Sequence, residues 1–121
     1  MIQEDYCSFE VAKLLKEKGF DAECRAAYTN YGKLFTTQIQ QYVTNVLCSK
    51  GYLWDCVAPT HQMAMKWLRG KDIRICPDYS DVDGKWFTMI GTKKKRTYSG
   101  YYDIYEEAVE AALKYCLENL I

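Results

Sequence analysis

Apolar and polar positions along this chain fall into blocks with different periods. From Phe9 to Phe20, Val11, Ala12, Leu14 and Leu15 recur at helical spacing, while Lys13, Lys16, Glu17 and Lys18 fall on the opposite side. Ser8 can cap the first-turn N–H groups, Glu10 complements the helix dipole, and Gly19 supplies a left-handed stop. A helix over 8–18 follows. Cys24 to Thr29 then reads as a strand, Asn30-Tyr31-Gly32 as a turn, and Lys33 to Gln40 as the returning strand of a hairpin. From Gln41 to Val57 the pattern loses its period. Gln38, Gln40, Gln41, Thr44 and Asn45 are polar without helical spacing and Gly51 breaks the run, so strand or irregular loop is expected there.

The second half alternates more clearly. Pro59-Thr60 opens a helix over 60–69 whose stripe is Met63, Ala64, Trp67 and Leu68, and Gly70 ends it. Ile73 and Ile75 alternate with Arg74 and Cys76 in a strand near 72–79. Asp81-Val82-Asp83-Gly84 is a hairpin signal. Lys85 to Ile90 is apolar on both faces and is expected to be a central strand, with a third strand at 95–99 after the turn at Gly91 to Lys94. Asp103-Ile104-Tyr105-Glu106 reads as a capping box with Asp103 at the N-cap. It opens a final helix over 104–119 with Ala108, Val109, Ala112, Leu113, Cys116 and Leu120 on its apolar face.

The order is α-β-β-α-β-β-β-α, an α+β fold in which an antiparallel sheet, at least a three-stranded meander, packs on two or three helices. One compact domain over 1–121 is expected, with an N-terminal helix and hairpin (8–58) beside an α-β-β-β-α unit (59–121). Trp67, Leu68, Ile73, Ile75, Phe87, Met89, Val109, Ala112 and Leu113 are expected in one core, with Leu14 and Leu15 at its margin.

Composition narrows the functional classes. At 121 residues, 49% hydrophobic and 26% charged, the chain is long enough to bury a core without metal or disulfides. Sixteen basic and sixteen acidic residues cancel, which argues against a generic polyanion binder and makes nucleic acid an unfavoured partner. No apolar run approaches the roughly 20 residues of a membrane span. The acidic start, Met1-Ile2-Gln3-Glu4-Asp5, lacks the basic and apolar parts of a secretory signal, so a complete cytoplasmic protein is expected. The cysteines at 7, 24, 48, 56, 76 and 116 form no Cys-x-x-Cys pair, and His61 is the lone histidine, so no zinc spacing assembles locally. Buried, reduced thiols are expected.

Candidate chemistry is sparse. His61 could act as base to Cys56 or Cys48, but no carboxylate stands at a telling spacing to orient it. Asp78, Asp81 and Asp83 before Gly84 invite a calcium loop, yet Tyr79 and Ile90 occupy the positions of two key ligands, and a hairpin turn is the simpler reading. Lys93-Lys94-Lys95-Arg96 is a basic run fitted either to a phosphate or to a solvated turn. The α-β-β-β-α order of the second half matches that of double-stranded-RNA-binding domains, but Asp103, Glu106 and Glu107 stand where such a domain places cations. Among eleven tyrosines, Tyr98, Tyr101, Tyr102 and Tyr105 cluster before the last helix, with Trp86 on the neighbouring strand. Aromatic groups of this kind are enriched at contact surfaces.

The segment Ser8-Phe9-Glu10-Val11-Ala12-Lys13-Leu14-Leu15-Lys16-Glu17-Lys18-Gly19-Phe20 resembles a family of small proteins common in gut bacteria and their phages or prophages. Ala58-Pro59-Thr60, Trp67-Leu68-Arg69 and Tyr102-Asp103-Ile104-Tyr105-Glu106-Glu107-Ala108 share in the likeness. It covers most of the chain and is weakest from about Thr36 to Cys56. The resemblance implies a phage or mobile-element origin and brings no catalytic residue and no ligand. The expectation is therefore a non-enzymatic accessory or interaction module with no cofactor, meeting a protein partner or a second copy through the aromatic cluster. The alternative is a binder of a nucleotide-like small ligand, stacking on the rings with Lys93 to Arg96 on its phosphates.

Overall fold

The computed structural model describes residues 4–36, 42–51 and 53–121. The chain is α+β and divides into two compact units, Met1–Thr60 and His61–Ile121, each with its own sheet.

In the first unit, α1 (Phe9–Glu17) starts where the pattern places it. Ser8 Oγ accepts from Val11 N at 3.2 Å, and Val11, Ala12 and Leu15 are buried. The sheet runs β2-β1-β3, antiparallel throughout, with β1 at Ala27–Thr29, β2 at Leu34–Phe35 and β3 at Trp54–Val57. Cys24 reaches the sheet region only through an isolated bridge to Val43, so the first strand is shorter than its pattern. Residues 37–40 of the expected hairpin return lie outside the described residues. The turn at Asn30 to Gly32 forms as expected, and Gly32 is obligatory there. Its φ is +81°, and a Cβ would stand 3.0 Å from the Phe9 ring.

A helix, α2 (Asn45–Lys50), occupies the stretch read as strand or loop. The polar residues that hid the period are the ones that make it. Thr44 caps it by accepting from Leu47 N at 3.3 Å. Asn45 is buried, donating to Phe20 O at 2.7 Å and accepting from Val57 N at 2.9 Å, which ties the helix start to β3. Ala12, Ala26, Tyr28, Cys56 and Ala58 form a core cluster in this unit, with Tyr6 and Phe9 packed against it.

The second unit is α3 (His61–Arg69), β4 (Arg74–Ser80), β5 (Lys85–Gly91), β6 (Arg96–Tyr98) and α4 (Tyr105–Asn119). The sheet is a meander with β5 central, as expected, and Pro77 sits in the middle of the outer strand β4. The buried face of α3 is His61, Ala64, Met65 and Leu68, rotated from the expected stripe. Trp67 is half-buried at its margin, with the Lys71 ammonium 4.6 Å from the ring centre. Gly70 is the first residue beyond the helix, as expected. The left-handed residue is Asp72 (φ +62°), followed by an Ile73 N to Leu68 O bond of 3.1 Å. Asp103 does not cap α4. Ile104 is the N-cap with no side-chain bond, and Asp103 instead pairs with Lys85 at 3.4 Å. Ala108, Val109, Ala112, Leu113, Cys116 and Leu117 are buried along α4. Leu117 thus takes the place expected for Leu120.

Candidate functional site

Alternation along β4 and β5 sorts the second sheet into two faces. Trp86, Thr88 and Ile90 of β5, with Ile75, Pro77 and Tyr79 opposite them on β4, point to the helix side. Thr88, Ile90 and Ile75 are buried, and the Tyr105 ring of α4 meets the Trp86 ring edge-on at 5.1 Å. The other face is an open ladder of four rows, the last of which is Ser80 with Lys85. Arg74, Gly91 and Arg96 form the first, and Cys76, Met89 and Tyr98 the second. Asp78 and Phe87 form the third, with the Tyr101 ring 5.8 Å from that of Phe87. Tyr98 is 61% exposed, Tyr101 56%, and Arg74, Cys76, Asp78 and Arg96 are exposed too.

The sheet therefore divides the aromatic group expected as one patch. Trp86 and Tyr105 are half-buried on the helix side, where Tyr79 packs on Trp86 at 5.0 Å. Tyr102 pairs with Trp86 through reciprocal backbone bonds of 2.7 and 2.8 Å, which places it on that side as well. Tyr98 and Tyr101 lie on the open face with Phe87. Phe87 and Met89, expected in the core, are half-buried on this face. Arg74, Cys76 and Asp78 alternate with Ile75 in the sequence, and that alternation marks the open side of β4. Carried across the hairpin by the register, the same alternation puts Phe87 and Met89 on the open side.

Along the strands cations gather at one end and carboxylates at the other, with one group of opposite sign at each, Asp72 among the cations and Lys85 among the carboxylates. The turn from β5 to β6 holds Lys93, Lys94 and Lys95, close to Arg74 and Arg96. One carboxylate, Asp72, pairs there with Lys93 at 3.3 Å. At the opposite end lie Asp78 and the hairpin residues Asp81 and Asp83, with Asp103 against Lys85. The hairpin is held by Ser80, whose Oγ donates to Asp83 Oδ2 at 3.0 Å, so Asp83 serves the turn. In the basic turn Thr92 N donates to Lys95 O at 2.9 Å, and the Thr92 hydroxyl accepts from Lys94 N and Lys95 N at 3.3 Å. Gly91 leaves room for the Arg74 guanidinium, 3.3 Å from where a Cβ would stand, and Arg74 Nη2 donates to Thr92 O at 3.3 Å. Lys93 and Lys94 also line a cleft of about 350 Å³ with Lys71, Asp72, Ile73 and Thr92.

His61 finds a partner that its sequence neighbourhood does not reveal. It is buried at the start of α3, with Nε2 2.9 Å from Glu110 Oε1 of α4, 49 positions away. Its Nδ1 is buried with no hydrogen-bond partner among the described residues. Cys48 and Cys56, its candidate nucleophiles, belong to the first unit. Burial pushes the Cys56 thiol up to about 12, with Asp55 adding to the effect, and holds Cys48 above the ordinary range. Such thiols are poor nucleophiles near neutral pH. Burial likewise raises Cys24 and Cys116 to about 12. Cys76 is the exposed cysteine, and no disulfide is present among the described residues.

Comparison with known proteins adds nothing to this geometry. No family model, curated protein or solved structure matches the chain. Among the described residues no helix is long and apolar enough to cross a membrane. The functional reading accordingly rests on the open face, its rings and its two charged ends.

Proposed function

We propose that the protein is a non-enzymatic accessory module, of mobile-element type and cytoplasmic, that works by binding through the open face of β4, β5 and β6. One observation carries this reading. Phe87 and Met89 lie half-buried beside Tyr98 and Tyr101, so apolar and aromatic surface is contiguous on a face that its own helices leave uncovered. Contiguous exposed apolar surface marks contact sites more often than it occurs idly. A photo-crosslinking residue placed at Tyr98 tests it, with the same residue at Tyr31 (98% exposed, in the first unit) as control. In cells producing the protein, position 98 is expected to give a discrete product, either a homodimer or a heterodimer identified by mass. No product above the position 31 control overturns the reading.

A second reading has its own observation. The cleft beside the basic turn gathers Lys71, Lys93 and Lys94 with the Thr92 hydroxyl, groups suited to a phosphate, next to apolar Ile73. The rings expected to stack on such a ligand lie on the sheet and do not line this cleft. A nucleotide panel in a thermal-shift assay separates the two readings. Occupancy at 100 times Kd stabilises by about 2.7 kcal/mol, which moves Tm by several degrees. A flat panel removes the cleft as a nucleotide site.

A further inference from the structure

We infer that the occupant of the open face is a second copy of this chain, docked face to face with its strands reversed. The proposal rests on the reading of that face as the contact surface and names its partner. Charge and symmetry together select this occupant. An isologous dimer presents the same surface twice, so that surface must complement itself. This face has a basic row, Arg74 and Arg96 across Gly91, toward one end and Asp78 beside Phe87 toward the other, where Lys85 is taken up by Asp103, with Cys76, Met89 and Tyr98 between.

Two orientations of a two-fold axis lying between the sheets are available. An axis along the strands sets Arg74 on the partner's basic row, where like charges repel. An axis across the strands reverses them, so that Arg74 meets Asp78 of the partner subunit and the central apolar row meets its own copy. The basic 92–95 turn then also approaches the partner's acidic hairpin at 81–84. The overall balance of sixteen cations and sixteen anions leaves no net repulsion between copies.

The geometry also sets the strength. Three strands about 4.8 Å apart and five residues at about 3.4 Å each give a face of roughly 14 by 17 Å. That is small beside the roughly 800 Å² per partner of a standard interface, so a weak dimer that dissociates on dilution is expected. Sheets packed face to face lie about 10 Å apart. With the axis across the strands and through the central row, β4 lies over its own copy, and Cys76 lies over the Cys76 of the partner subunit. Its exposed thiol becomes the probe.

Sedimentation equilibrium of the full chain from about 5 to 300 μM, with a bis-maleimide of roughly 10 Å span, tests each part. Expected are a reversible dimer, a covalent dimer joined through Cys76 in both copies, and at least tenfold weaker association for D78R. The exchange R74D/D78R flips both ends and should return Kd to within about threefold of wild type, while failing to pair with wild type. Should R74D disturb the turn at Thr92, Y98S, in the central row that meets its own copy, provides an independent weakening. A wild type that stays monomeric at 300 μM overturns the second copy while leaving the face open to a different protein, which the crosslink at position 98 reports. A dimer indifferent to D78R and Y98S/Y101S lies elsewhere on the molecule and overturns both readings. A dimer that D78R and Y98S weaken but R74D/D78R does not restore, or that lacks the Cys76 link, overturns the reversed orientation.

Discussion

Thiol reactivity offers a direct check on the packing of both units. Cys76 lies exposed on β4, while Cys7, Cys24, Cys48, Cys56 and Cys116 are buried. Maleimide attacks the thiolate, so the rate follows access and ionised fraction together. At pH 8 a thiol of ordinary pKa 9.0 is about one-tenth ionised, whereas Cys24, Cys56 and Cys116, held near 12 by burial, are ionised to about one part in 10⁴. That alone slows them about 10³-fold. The alternative route is unfolding. A stability of even 5 kcal/mol leaves an open fraction of about 2 × 10⁻⁴, so reaction through the open state is also slowed by more than 10³. Intact-mass analysis of N-ethylmaleimide adducts at about 1 μM protein and pH 8 should show one adduct forming in minutes. Cys24, Cys56 and Cys116 should follow at least 10³ times more slowly, buried Cys7 and Cys48 should also lag well behind, and denaturant should release all six at once. A second adduct within tenfold of the first rate would refute the burial described for at least one unit, and peptide mapping would say which.

Other expectations follow from the same contacts. L113A, at a fully buried position on α4, should cost about 2–5 kcal/mol in denaturant unfolding, and W67A at the half-buried edge of α3 distinctly less; the reverse order would show that the helix face is misassigned. N45A removes the side-chain bonds to Phe20 O and from Val57 N in the first unit and leaves the buried Val57 N–H without its acceptor, at about 1–3 kcal/mol, so a loss under 1 kcal/mol would remove Asn45 as the tie between α2 and β3. S8A should cost about 1 kcal/mol and D103A under about 0.5, because only Ser8 bonds its helix; equal losses would contradict the cap assignment. The Cys116 thiol releases its proton near 9.0 when unfolded but near 12 when folded, so its contribution is complete below pH 9 and lost as pH rises toward 12. The stability of wild type relative to C116A should therefore be flat below pH 8 and fall by about 1.4 kcal/mol per pH unit above pH 9.

Where one signal dominated, the sequence led to the right element. Ser8 with its apolar stripe, the Asp81–Gly84 turn and the alternation of Ile73 and Ile75 each depend on residues within a turn or two of one another. The misreadings share a different cause. Thr44 and Asn45 look unhelical because their side chains bond backbone rather than pack, and a six-residue helix secured by its first turn leaves little periodicity to find. Asp103 has the spacing of a cap, but Lys85 draws it away. Apolar Phe87 and Met89 look like core residues because an aromatic strand does not say which of its faces will be covered. His61 shows the limit most plainly, since the carboxylate that holds it sits on another helix 49 residues on, where no local spacing can announce it.

Pro77 in the outer strand bears on how the protein behaves when crowded. A proline has no N–H, so an edge strand that contains one cannot offer a full row of donors to an incoming chain. The far side of the same sheet ends in the three residues of β6, too short a template for sustained pairing. Growth by adding strands is thus obstructed at both margins, in a protein whose zero net charge gives it little colloidal protection. Replacing Pro77 by a β-branched residue would open a seven-residue edge to fibrillar stacking, a hazard that rises with concentration and is absent from any account of stability alone.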